Sequence, residues 1–210
     1  MSNPRKPRAS SQARIQHILS AARSLLSEHG LTQLSMYTVA ERADIPPSSV
    51  YHFFPNVAAL CQGLTEEVHA AFRACLEAPI DLPAHATWRE LARVIEQRML
   101  TVYRQDPAAC QLILASHAQA DITAADRQHD EQLGQRLYQL FNQRFQLPAL
   151  DNPVDLFTLA LELGDRVYAR SVQLHGHITP YYAEEGMRVF EAYLGLYLPV
   201  YLVPQSHRSD

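Results

Sequence analysis

The stretch that most constrains this chain is Ser35–Leu60, SMYTVAERADIPPSSVYHFFPNVAAL. Ser35 is a fitting N-cap for a short helix from Met36 to about Ala43, with Met36, Val39, Ala40 and Ala43 facing inward. Asp44-Ile45-Pro46 reads as a turn, because an Asp side chain can bond nearby backbone N–H groups. Pro47 suits the first turn of the next helix, where a missing N–H costs little, and that helix runs from Ser48 to about Phe54. Ahead of this pair, Ile15, Ile18, Leu19, Ala22, Leu25 and Leu26 recur at helical spacing over Ser11–His29, and Gly30 follows as a C-cap. Three short helices with a tight turn before the last are a helix-turn-helix. In such motifs the last helix enters the major groove by its N-terminal end.

The residue types fit that use. Ser48 and Ser49 are short hydroxyls that allow close approach and bond bases or phosphates; Tyr51 offers a phenol and His52 a ring nitrogen. Tyr37 and Thr38 are placed to face the DNA backbone from the preceding helix. Val50, Phe53 and Phe54 read as core.

Charge distribution agrees. The net charge of −4 disfavours nucleic acid at first sight, yet residues 1–60 hold six basic and three acidic residues, whereas residues 61–210 hold twelve basic and nineteen acidic. A cationic head supplies the salt-dependent phosphate attraction and an anionic body stays off the duplex. Arg5, Lys6 and Arg8 lie in a Pro- and Ser-containing arm, residues 1–10, which either tracks the DNA or is a solvated tail.

These features resemble the tetracycline-repressor (TetR/AcrR) family of bacterial transcriptional regulators. The resemblance rests on the helix ending in Gly30, Leu34-Ser35-Met36, Val39-Ala40-Glu41-Arg42-Ala43, Ile45, Ser49-Val50-Tyr51-His52-Phe53-Phe54, Asn56 and Leu60, and covers about residues 11–65. Four positions depart from the family pattern. Asp44 replaces the usual turn glycine, Pro46 the usual turn serine, Tyr37 a basic residue and Val57 a phosphate-binding lysine.

The resemblance implies an all-α fold of about nine helices. A helix-turn-helix DNA-binding domain (11–58) would precede a helical ligand-binding and dimerisation domain (59–210). It further implies a repressor on a palindromic double-stranded operator, released by a small-molecule effector. A pocket in the body is part of that implication; Trp88, Met99, Tyr103, His117, Phe141 and Tyr168 are its candidate lining, with Asn142 and Asp165 as further polar groups.

The body pattern is helical throughout. Helices are expected over residues 57–78, 87–104, Pro107 to about Ala118, Ala124–Phe145, Pro153–Leu174 and Tyr181–Tyr201. The first of these starts in the head and ends in the body, which makes it a lever. The last pair is apolar on several faces. Phe157, Leu161, Gly164, Phe190, Leu194 and Tyr197 are therefore the expected interface of a homodimer, whose two heads would reach half-sites about 34–36 Å apart.

Other classes are disfavoured. No apolar run spans a membrane and no signal-peptide core precedes the first helix, so a cytoplasmic protein is expected. Cys61, Cys75 and Cys110 show no metal-like pairing and read as reduced. His175-Gly176-His177 reads as a solvated turn. No cofactor, metal site or catalytic set is expected. Two alternatives remain open on the residues alone: an all-helical small-molecule-binding enzyme, and a helical interaction module that does not bind DNA.

Overall fold

A computed structural model describes residues 9–115 and 120–205. Its described residues form nine α-helices, the sixth a single turn, and no β-strand. Helix α1 (Ala9–His29) buries Ile18, Leu19, Ala22, Leu25 and Leu26, and ends at Gly30, whose φ of 71° lets its N–H return to Leu26 O at 2.9 Å. Helix α2 (Met36–Arg42) opens on a reciprocal cap. Thr38 N–H donates to Ser35 Oγ at 3.1 Å, and Ser35 N–H donates to Thr38 Oγ1 at 3.0 Å.

Helix α2 closes without glycine. Asp44 adopts φ 51°, the only positive φ at a non-glycine among the described residues. Its N–H bonds Glu41 O at 3.1 Å and the next N–H, of Ile45, bonds Ala40 O at 3.1 Å. This is a Schellman closure with Asp in the left-handed position, which Asp tolerates better than most residues. Helix α3 (Pro47–Phe53) then starts with proline in its first turn and buries Val50 completely.

Helix α4 (Val57–Glu77) is capped by Asn56, whose side-chain oxygen accepts from Ala59 N–H at 2.8 Å. Its buried row runs from Leu60, Cys61 and Leu64 in the head to Phe72 and Leu76 in the body. Arg98 fixes its far end by donating to Ala78 O at 2.8 Å and Pro79 O at 2.7 Å. Helix α5 (Trp88–Gln105) is opened by a Thr87–Glu90 cap. The single turn α6 (Pro107–Ala109) continues as a π-helical turn, Cys110–Ala115. The sequence expectation of a regular helix from Pro107 to about Ala118 is corrected to that extent.

Helices α7 (Ala120–Arg144), α8 (Pro153–His175) and α9 (Pro180–Leu194) complete the body, with α8 packed between α7 and α9. Two glycines permit the closeness. A Cβ on Gly134 of α7 would stand 2.2 Å from Thr158 Oγ1, and one on Gly186 of α9 would stand 2.1 Å from the Tyr168 ring. Gly164, expected at a dimer interface, faces the same seam: its nearest neighbour would be Gly186 O.

The expectation of a helix reaching Tyr201 is also corrected. Helix α9 stops at Leu194, and the chain turns back toward α7. Gln146 N–H donates to Val203 O at 2.8 Å, Gln205 N–H donates to Arg144 O at 2.9 Å, and Trp88 Nε1–H donates to Pro199 O at 2.9 Å. Leu198 and Leu202 are thereby buried. A proline at 199 has no N–H with which to continue the helix.

Candidate nucleic-acid interface and body cavities

The residues expected to touch DNA lie together on one face of the head. Ser48 and His52 are exposed, Ser49 is half-buried, and Tyr51 and Tyr37 are 43% and 67% exposed. The Tyr37 and Tyr51 rings meet edge to face at 6.4 Å, so the two phenols rise from α2 and α3 as a unit. Val50 points the other way, into the core, as the helical period requires. Thr38 is less available. Its hydroxyl lies within 3.0 Å of both Ser35 N and Ser35 O, so it holds the start of α2.

The charge of the head is more engaged than its composition implies. Arg42 forks onto Glu28 at 2.6 and 2.7 Å, and holds the Glu28 carboxyl down to about 2. Arg23 on α1 donates to Glu67 on α4 at 2.7 Å and also pairs with Asp106, just before α6. Arg14 is exposed with no ion pair among the described residues. Arg5, Lys6 and Arg8 lie outside the described residues. The Arg23 clamp ties head to body across 44 and 83 positions of sequence, and no local signal announces it.

The expected body pocket is only partly assembled. Met99 and Tyr103 line a small space of about 10 Å³, room for about one water, together with His69, His129, Asp130 and Asp165. Trp88, Phe141 and Tyr168 are packed elsewhere in the core. Trp88 holds the C-terminal return, Phe141 meets Phe157 at 4.9 Å, and Tyr168 donates to Glu96 Oε2 at 2.8 Å. Asn142 is exposed and His117 lies outside the described residues. Large apolar residues at helical spacing serve mainly to join helices here, which is why most of them do not face a cavity.

The polar groups around that space are unusual. Tyr103 donates to Asp165 at 3.0 Å, one layer from the Tyr168–Glu96 pair. Burial pushes the Glu96 carboxyl up to about 8, against the opposing hydrogen bond from Tyr168 and with help from Asp165. His129 stacks on His69 at 3.9 Å, and neither of its ring nitrogens has a hydrogen-bond partner among the described residues. Burial, then the nearby charges of His69 and Arg73, lower His129 to about 3. Sequence reasoning missed Glu96 because its place in the α5 pattern becomes interior only once α8 lies against it.

The expected dimer residues sit inside the protomer. Phe157, Leu161, Phe190 and Leu194 are buried, and Gly164 lies in the α8–α9 seam. Tyr197 is half-exposed, 5.6 Å from Tyr193. The apolar groups left outside in this part of the body are Leu159, Leu163 and Leu174 of α8, Tyr181 of α9, and Leu196, Val200, Tyr201 and Val203 beyond it. Burial also pushes the Cys61, Cys75 and Cys110 thiols up to about 11, which keeps them protonated and unreactive. Among the described residues no group of three His, Cys, Asp or Glu could hold a metal ion, and no helix is long and apolar enough to cross a membrane.

Comparison with known proteins follows this geometry. Residues 18–63 match the family described as bacterial regulatory proteins, tetR family. A TetR-family transcriptional regulator from Streptomyces coelicolor superposes with a TM-score of 0.68 at 24% identity, over 88% of this chain and 99% of that one. The multidrug binding protein EbrR, solved in complex with imidazole, gives 0.66 at 24% identity, over 93% and 98%. SmeT, the repressor of the Stenotrophomonas maltophilia multidrug efflux pump SmeDEF, gives 0.62 at 17% identity, over 91% and 94%. At these identities the structural likeness speaks to the fold. No curated protein matches the chain.

Proposed function

We propose that this chain, whose residues 18–63 match the tetR family of bacterial regulatory proteins, belongs to that family and is a homodimeric, ligand-responsive repressor of transcription. The observation that carries the reading is the outward face of the head. Ser48, Ser49, Tyr51 and His52 project from the first turns of α3, and Tyr37 stands beside Tyr51. A helix placed this way enters the major groove, where short hydroxyls approach base edges and phenols reach phosphates.

Dimerisation would use the outward apolar residues of α8, with Leu159 and Leu163 one turn apart, continued by Tyr181, Tyr197 and the residues after α9. An exposed apolar patch of this kind is the usual mark of an interface. Effector binding in the body would act through α4, which runs from the head into the body along one continuous core. It would shift the population toward a head spacing that no longer fits the operator. The drug-related names of two fold relatives support a small organic effector, without identifying it.

The test is selection of bound duplexes from a random pool by the purified protein, followed by salt titration of the winner. An enriched inverted repeat whose affinity falls steeply with salt is expected. No enrichment at low salt by an intact dimer would sink the reading. A monomer at micromolar concentration would remove the proposed interface.

A further inference from the structure

A second, larger space lies beside the small one, and its chemistry is opposite. It is a cleft of about 270 Å³ at the junction of head and body. One wall is Ser27 on α1. The others are Arg104 at the end of α5, Pro107, Cys110 and Gln111 of the following turns, and Gly176–Ile178 between α8 and α9. Among the described residues no carboxylate lines it, whereas Asp130 and Asp165 line the small space. Tyr103 borders both.

Two side chains of the cleft can donate to an anion, the Arg104 guanidinium and the Gln111 amide. Arg104 is exposed and makes no ion pair among the described residues, so its guanidinium fork is available. His177 has Nδ1 3.0 Å from His175 O, so Nδ1–H donates there, and in that neutral tautomer Nε2 is an acceptor and adds no donor to the cleft. Gln111 is half-buried and offers a side-chain amide, whose oxygen would stand 3.5 Å from a Cβ placed on Gly30. The remaining surface, Pro107, Ile178 and the edge of Tyr103, is apolar. A guanidinium fork beside apolar walls recognises a planar carboxylate on an apolar stem.

We propose that this cleft is an effector site for small amphiphilic carboxylates, and that its occupancy is felt by the head. The site is argued from the cleft alone; its consequence for DNA rests on the regulator reading. Ser27 follows Arg23 by one helical turn, and Pro107 adjoins Asp106, so the cleft lies next to the Arg23–Asp106 ion pair that joins head and body. A molecule between Ser27 and Gln111 bears on the same joint.

Benzoate, with benzylammonium as its charge-reversed counterpart, is the probe, and the amide NMR spectrum of the full chain is the detector. Benzoate is expected to shift the amides of Gln111, Gly176 and His177 saturably, with a dissociation constant on the order of 1 mM, as suits a fragment-sized ligand. Benzylammonium should leave them in place. Arg104→Met should weaken benzoate about tenfold, and Ser27→Phe should block it by filling the mouth, both variants keeping the wild-type melting curve. Shifts centred on Met99 and Leu133, equal binding to Arg104→Met, or no binding at all would overturn the site. Benzoate bound in the cleft, with unchanged affinity for a selected duplex, would overturn the coupling. Benzoate bound there by a protein that selects no duplex would support the site while the regulator reading fails.

Discussion

The head and the body of this molecule place their polar side chains in opposite ways. In the head, hydroxyls, phenols and His52 face outward over a small apolar core around Val39, Ala40 and Val50. In the body, Glu96, His69, His129, Thr158 and Ser171 are buried among long helices. With its polar groups turned to water, the head keeps a dry interior and its fold can be set locally by caps. Buried polar groups instead make the body's stability depend on protonation and on close helix approach. The first arrangement tolerates substitution on its working face; the second does not.

The sharpest way to break this contrast is to disturb the body's packing. Gly186→Ala puts a methyl into the Tyr168 ring and displaces the Tyr168–Glu96 hydrogen bond. A loss of about 3 kcal/mol in denaturant unfolding is expected. Gly134→Ala should behave similarly against Thr158, because the nearest groups there include backbone that cannot move aside.

Titration comes next. Glu96 ionises near 8 in the folded protein against an ordinary 4.5. The folded state therefore holds a proton that the unfolded chain has lost, and stability falls as pH rises from about 4.5 to about 8. His129, lowered to about 3 from 6.5, works on the acid side, where stability falls as pH drops from about 6.5 toward 3. Glu96→Gln should flatten the alkaline limb and add about 2 kcal/mol near pH 8. Melting curves across pH decide it; an unchanged alkaline limb would show that Glu96 does not titrate in this way.

Predictions for the head are smaller. Tyr51→Ala should weaken a selected duplex about tenfold while leaving the melting temperature and the oligomeric state alone. Equal affinity would remove Tyr51 from the contact surface. Asp44→Gly should stabilise by about 0.5 kcal/mol, because glycine adopts the left-handed conformation without a Cβ cost. A destabilised variant would mean that the Asp44 side chain contributes more than its backbone costs.

The same contrast governs what the sequence revealed. The head is legible because its determinants are local: Ser35 precedes its helix, Pro47 opens one, Asn56 caps another, and Gly30 turns the chain. The number of the body helices followed from periodicity, but the turn after Pro107 and the end of the last helix at Leu194 did not. Nor did periodicity show which apolar face meets which neighbour. Phe157, Leu161, Phe190 and Leu194 have the composition of an interface and turn out to be core, while Leu159 and Leu163, on the same helix as Phe157, face outward. Apolarity shows that a face must be covered, not by what. The ion pairs of Arg23 and the burial of Glu96 depend on residues tens of positions away, and only the folded chain brings them together.

The return of the chain after α9 also sets a timetable for making the protein. Every cap and core residue of the head lies before about residue 65, so the emerging chain carries all it needs for that unit early in translation. The body has no such independence. Trp88 waits for the carbonyl of Pro199, and Leu198 and Leu202 fill the core only after residue 202 has left the ribosome. A nascent chain halted between about residue 65 and residue 198 would present a finished head on an unsealed body.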